Sequence, residues 1–240
     1  MVAAGAMAAF VLFGYSITTA ILLPTIGGAP ATAAEAFELL QKRPLTGWLR
    51  LDVLTVMFVP LYYVLTVGLW AALQSAGRVS AAISSTMTVV GVTLFLSAPT
   101  VFSLSRLSAL HASASSEARR SELIAAGEAL LASDIWHGSA PLIGGLLLEG
   151  GLAWASALML CTASGSPRWL GVLGLATHGL DLVHGPLMLI WPPLGVGLMM
   201  VAGPLYLIWF PAVGVWLWRR QSPEANARSS ATASPPKLRS

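Results

Sequence analysis

Charge is what this chain has least of: 10% of its 240 residues are Asp, Glu, Lys or Arg, against about a quarter in soluble domains. That is too little polar surface to coat a water-soluble globule of this size, so the medium being matched is hydrocarbon. Cysteine is almost missing. The single Cys161 excludes an internal disulfide and a C-x-x-C redox or metal site, and its place near the end of an apolar run reads as a small buried hydrophobe. P-loops, dinucleotide fingerprints, nucleophile elbows and zinc-protease motifs are also lacking, so no cofactor is called for. The net charge is +3, but no basic face carries interleaved aromatics, and five of the thirteen Lys and Arg lie from Arg219 onward. Nucleic acid is therefore excluded as a partner, and the basic excess reads as an orienting signal in a lipid bilayer.

Long apolar runs are what the sequence does have. Crossing about 30 Å of hydrocarbon takes roughly 20 apolar residues at about 1.5 Å each. Ala4 to Ile26, Leu51 to Leu73, Ala81 to Phe102, Ser139 to Leu160, Trp169 to Ile190 and Leu194 to Trp218 meet that length. They predict an all-α integral membrane bundle of six transmembrane helices, one domain over residues 1–220. A disordered tail rich in Ser, Ala, Pro and Arg follows, 221–240. Ala31, Thr32 and Ala33 form an A-x-A pattern after the first span. That span still reads as retained, because no Lys or Arg precedes it and its apolar run is too long for a signal peptide. Trp48, Trp70, Trp136, Trp169, Trp191, Trp216 and Trp218 fall near span ends, where an indole is half in lipid and its N–H stays wet. Trp154 and Trp209 do not, and are expected inside the bundle. With the N-terminus inside, the inner segments hold Arg78 and Arg168 on short loops and Arg219, Arg220, Arg228, Lys237 and Arg239 on the tail, whereas Lys42, Arg43, Arg50, Arg106, Arg119 and Arg120 lie on long segments that translocate with little regard to charge. Both termini are therefore placed in the cytoplasm, with the chain in a bacterial cytoplasmic membrane.

Two connections have character. Ser116 is placed to cap an amphipathic helix running to about Ser133, between the third and fourth spans, with Leu123, Ile124, Gly127, Leu130 and Leu131 on one face. Such a helix lies along the membrane surface or covers the outer mouth. Trp191-Pro192-Pro193-Leu194-Gly195 is too short and stiff for anything but a tight reversal, so the fifth and sixth spans are antiparallel neighbours.

An ionisable group inside the membrane costs about 2.5 to 3.5 kcal/mol on insertion scales, so each one needs a reason. Glu149 falls in the fourth span, and His178, Asp181 and His184 in the fifth. In antiparallel neighbours Glu149 and Asp181 come to similar depth, near the midplane. Spacing of three along a helix makes neighbours, so His178 is expected to touch Asp181, and Asp181 to touch His184. Asp134, Trp136 and His137 at the outer mouth extend this stripe toward water. Alternating carboxyl and imidazole groups suit proton transfer; the bland alternative is polar packing between helices. A metal is disfavoured, since three ligands spaced by three sweep about 120° around a helix, and haem because no facing histidine exists on a second helix. Pro60, Pro99, Pro186, Pro204 and Pro211 lie in or near the ends of spans, and interrupted helices flank binding sites in transporters.

The stretch ending at Leu131 that reads ASASSEARRSELIAAGEALL, together with PRWLGVLGLATHG from Pro167 to Gly179 and the hydropathy pattern before Gln221, resembles a family of bacterial multi-pass membrane proteins catalogued as domain of unknown function 4386. The resemblance implies a six-helix bundle with a polar segment after the third span, and no catalytic residue or activity. The His178, Asp181, His184 stripe stands outside that pattern. Three classes remain open: a transporter-like or ligand-binding protein with a midplane polar site for a small molecule or lipid; a membrane enzyme acting on a lipophilic substrate by acid/base chemistry through Glu149 or Asp181; and a structural or regulatory membrane partner.

Overall fold

A computed structural model describes residues 1–134, 137–161 and 165–220, with the side chain of Leu23 excepted. Trp136 and the predicted disordered tail lie outside the described residues. Every regular element among those residues is helical, with no strand. In chain order these are α1 (Val2–Ile26), α2 (Ala33–Lys42), α3 (Pro44–Arg50), α4 (Val53–Phe58), α5 (Leu61–Phe95), α6 (Thr100–Ala112), α7 (Glu117–Leu131), α8 (Ser139–Met159), α9 (Arg168–Ile190) and α10 (Pro192–Arg220).

α5 is two arms rather than one rod. Gly77 leaves helical geometry, and Tyr63 Oη lies 2.8 Å from Thr93 Oγ1. In a continuous helix those residues would be about 45 Å apart, so the chain turns back at Gly77 and the halves pack as a hairpin. With α1, α8, α9 and α10 this gives six apolar arms, joined in an up-and-down ring. Each neighbouring pair runs antiparallel: Gly5 meets Gly68 while Tyr15 meets Thr55, and Gly5 also meets Leu217 while Phe10 meets Gly214. Gly91 meets Leu148 while Ser84 meets Gly151, and Gly171 meets Ser156 while Gly185 meets Leu142. Glycine is required where backbones touch. A Cβ on Gly91 would strike the backbone of Leu148 and Gly144, and one on Gly5 would stand 2.7 Å from Gly68 Cα; small residues are how membrane helices approach this closely.

Five helical stretches are long and apolar enough to cross a membrane: α1, the stretch beginning at Leu61, α8, α9 and α10. The bundle is apolar outside as well as inside. Leu12, Leu65, Leu73, Leu152, Met159, Leu170, Phe210 and Leu217 fill its interior, while Ile21, Val79, Ile190 and Met200 are among many apolar side chains left exposed. A surface of that kind suits hydrocarbon and would aggregate in water.

One end of the ring holds Met1, the Gly77 turn, Gly165 and Arg220; the other carries α2, α3, α4, α6 and α7. These form a cap with its own core of Ala36, Phe37, Leu40, Leu51, Val101, Leu104 and Leu123. α1 is closed by Gly27 in the left-handed region, φ 89°, a conformation glycine adopts without penalty. Arg50 then ties the exit by donating to Gly28 O at 2.6 Å and to Glu35 Oε1 at 2.7 Å. The N-terminus of α2 draws acceptors, as its free N–H groups demand: Thr32 Oγ1 accepts from Glu35 N, and Glu128 Oε1 of α7 accepts from Ala33 N at 2.8 Å.

Several boundaries differ from expectation. The arm predicted from Leu51 begins at Leu61, because Asp52 takes a left-handed conformation (φ 63°) and Pro60 interrupts the run after α4. The arm predicted to reach Phe102 stops at Phe95, and Pro99 starts a separate α6 whose Val101 and Leu104 enter the cap core. Two helices therefore follow the third arm where one was expected. The Ser116-capped helix is present as α7, Ser116 Oγ accepting from Arg119 N. Its Leu123 and Gly127 are buried, with Ile124, Leu130 and Leu131 packed against the same cap core. Trp209 is fully buried, but Trp154 is 41% exposed on the bundle surface. Cys161 is exposed too, since α8 ends at Met159, two residues before it.

Candidate functional site

Three arms converge at mid-depth. Ten residues separate Glu149 from either end of α8, and fourteen separate Tyr206 from either end of α10. His178 stands ten residues from the start of α9 and twelve from its end. At about 1.5 Å per residue all three sit near the middle of a 30 Å layer.

There they form one connected chain. His178 Nδ1 lies 2.7 Å from Glu149 Oε2. Tyr206 Oη lies 2.9 Å from the same Glu149 oxygen and 2.7 Å from Asp181 Oδ2. Asp181 Oδ1 in turn pairs with His184 Nδ1 at 3.0 Å. Five side chains from α8, α9 and α10 are thus joined by four contacts, each of hydrogen-bonding length. Side-chain exposure is 0% at His178, 11% at Glu149, 23% at Asp181 and 17% at His184, so the His178 end is the more deeply buried.

Counting hydrogens constrains the network. A phenol has one hydrogen, and an ionised carboxylate only accepts. Tyr206 stands between two carboxyls, so with both ionised one of its two contacts would hold no hydrogen and set lone pairs against each other. At least one carboxyl hydrogen therefore belongs to the network. Shifting hydrogens one place along such a chain moves a proton from end to end without moving a heavy atom far.

Aromatic packing closes the inner end. The His178 ring stands edge-on to Trp209 with centroids 4.4 Å apart, and to Tyr206 at 5.4 Å. Beyond it, a Cβ on Gly174 would collide with Ser156 and Trp209, so α8, α9 and α10 are in contact one turn below His178. Among the described residues, His178 Nε2 and Trp209 Nε1 are buried without a hydrogen-bond partner. The chain ends at His178 on one side and runs from there toward the capped end, with His184 as its last member. Pro186 and Pro204, each two residues from a member of the chain, lie inside α9 and α10 and remove backbone N–H donors there.

The structure brings together four of the sequence-selected residues, Glu149, His178, Asp181 and His184. The expected direct contact between His178 and Asp181 is replaced by a longer route: His178 turns to Glu149 on α8, and Asp181 is reached through Tyr206 on α10. Facing arms offered better-aligned partners than the next turn of the same helix. Tyr206 was missed, and Trp209 was expected only as packing; a lone tyrosine in an apolar run carries no signal of its own. Asp134 and His137 pair with each other, His137 Nδ1 lying 2.8 Å from Asp134 Oδ1. They line a cavity of about 560 Å³ beneath the cap with Arg50, Asp52 and Glu128, apart from the chain of five. No group of three or more His, Cys, Asp or Glu able to hold a metal is present among the described residues. No family model, curated protein or solved structure matches the chain.

Proposed function

We propose that this chain crosses the membrane six times and works as a proton-coupled carrier of a small solute, with Glu149 and His178 as the proton-holding pair. The observation that carries the reading is the unbroken series His184, Asp181, Tyr206, Glu149, His178 at mid-depth, with contacts of 2.7 to 3.0 Å. Every member can both give and take a proton, which polar packing alone does not require. Burying so many titratable groups is costly, and a use for their protons is the physical reason to keep them.

Direction follows from the ends of the bundle. The end with short connections holds Arg78, Arg168, Arg219 and Arg220 and, among the described residues, no Asp or Glu. Short basic segments stay in the cytoplasm, so the capped end faces outward and His184 meets protons from that side. α9 and α10, each interrupted by proline, are the arms placed to move when Glu149 changes charge.

Proteoliposomes holding a pH-sensitive dye test this reading. With outward gradients of amines, carboxylates, sugars and lipophilic cations imposed in turn, one class is expected to drive a change in internal pH. Glu149→Gln is expected to abolish it. Proton movement unchanged in Glu149→Gln, or none with any class, would refute the proposal.

A further inference from the structure

On the outer surface of the second α5 arm lies a groove of about 560 Å³, lined by Val79, Ala82, Ile83, Met87, Val90 and Leu147 and headed by Arg78. Arg78 is exposed and makes no ion pair or hydrogen bond among the described residues. It stands where the arm restarts after Gly77, at an end of the bundle whose described residues include four arginines and no acid. The first N–H groups of the arm add their partial positive charge there. From Arg78 to Val90 the groove runs about 18 Å along the helix, which covers the roughly 15 Å hydrocarbon depth of one leaflet.

We infer that this groove binds one anionic phospholipid of the leaflet at the uncapped end. An acyl chain lies along Ile83, Met87 and Val90, and the phosphate sits on Arg78. Three features of the groove select that occupant. Apart from Thr86 the lining is apolar over one leaflet's depth and ends in a single cation, which is the pattern of a chain with a charged head. The cation has no ion-pair or hydrogen-bond partner among the described residues. Finally, the four arginines at this end, with no acid among its described residues, leave an attractive field for a net negative head group, where a zwitterionic one gains little.

Native mass spectrometry of the full chain, released from micelles carrying equal phosphatidylglycerol and phosphatidylcholine, tests the site. Wild type is expected to retain one phosphatidylglycerol in preference to phosphatidylcholine. Arg78→Gln is expected to lower that preference about fivefold, the worth of one surface cation near a lipid head. Ile83→Trp, which fills the groove at an exposed position, is expected to reduce retention of both lipids, while Arg43→Gln at the capped end leaves the preference unchanged. The inference fails if Arg78→Gln and Ile83→Trp both behave as wild type, or if Arg43→Gln lowers the preference as much as Arg78→Gln. It fails equally if the spectra show a dimer that Ile83→Trp abolishes, since a second copy would then be what covers the groove.

Discussion

Replacing Tyr206 by Phe removes one oxygen and leaves the ring, with its edge against His178 and its stack on Phe210. What is lost is the hydroxyl that joins Asp181 to Glu149: its two contacts of 2.7 and 2.9 Å disappear, and no other side chain among the described residues hydrogen-bonds to both carboxyls. Proton transfer needs heavy atoms within about 3.2 Å, or one water between them. A water needs room of about one probe sphere and two or more polar partners, and the space of one hydroxyl beside a phenyl ring is too small. A positioned proton-transfer group contributes about 10² to 10⁴ in rate, so Tyr206→Phe is expected to slow protonation of Glu149 by at least about a hundredfold. Asp181, still paired with His184, should respond as fast as in wild type. Infrared difference spectra after a pH jump resolve both, with Glu149→Gln and Asp181→Asn assigning the carboxyl bands. Equal rates for the Glu149 band in wild type and Tyr206→Phe would refute the relay. Losing hydrogen bonds to a charged group also costs about 1.5 to 3 kcal/mol, so a lower melting temperature is expected and does not bear on the rate test.

Other outcomes follow from the same geometry. Gly91→Val forces side-chain atoms into the backbone of Leu148 and Gly144 and is expected to destabilise the bundle by at least about 1 to 3 kcal/mol, read as a drop in detergent melting temperature. Gly179, with open space beside it, should accept Ala with a much smaller change. Glu35, which accepts from Ala31 N–H and from Arg50, is held below the usual carboxylate value by those contacts. Its stabilising effect on the cap is thus present above the unfolded value of about 4.3 and lost as pH falls through the lower folded value. Glu35→Gln should accordingly speed proteolysis of the 27–32 loop at neutral pH and match wild type in strong acid. Cys161, exposed at the uncapped end, should react with an impermeant maleimide in inside-out vesicles and not in intact cells; labelling from outside would reverse the orientation.

Much of this was legible in the sequence because lipid imposes simple constraints. Each apolar run had to be a helix of a certain length, and Pro192-Pro193 left the last two arms no option but reversal. Glu149, His178, Asp181 and His184 stood out as charges where charge is costly. The partners were harder to see. Tyr206 lies 57 residues from Glu149 and 25 from Asp181, and which neighbour a side chain selects depends on how three helices rotate about their axes, a matter of packing rather than periodicity. The cap was hidden for a related reason. Phe37, Val101 and Leu123 come from three separate segments, each too short to declare a core alone, and they become one only when α2, α6 and α7 meet. Trp154 was read as interior because a lipid-facing surface and a protein interior are equally apolar, so composition does not separate them; Cys161 was read so because it follows an apolar run, whose helix stops at Met159.

Sidedness is the most direct test of the claim that this chain of five feeds a buried proton-holding pair from the capped end. With the protein uniformly oriented in vesicles, the pH is stepped on one side of the membrane at a time while the infrared carboxyl band of Glu149 is followed. Steps on the capped side are expected to shift the band, and steps on the arginine-lined side to leave it unchanged while Trp209, Gly174 and Ser156 keep that path closed. A response to the arginine-lined side, or to neither side, would contradict the account.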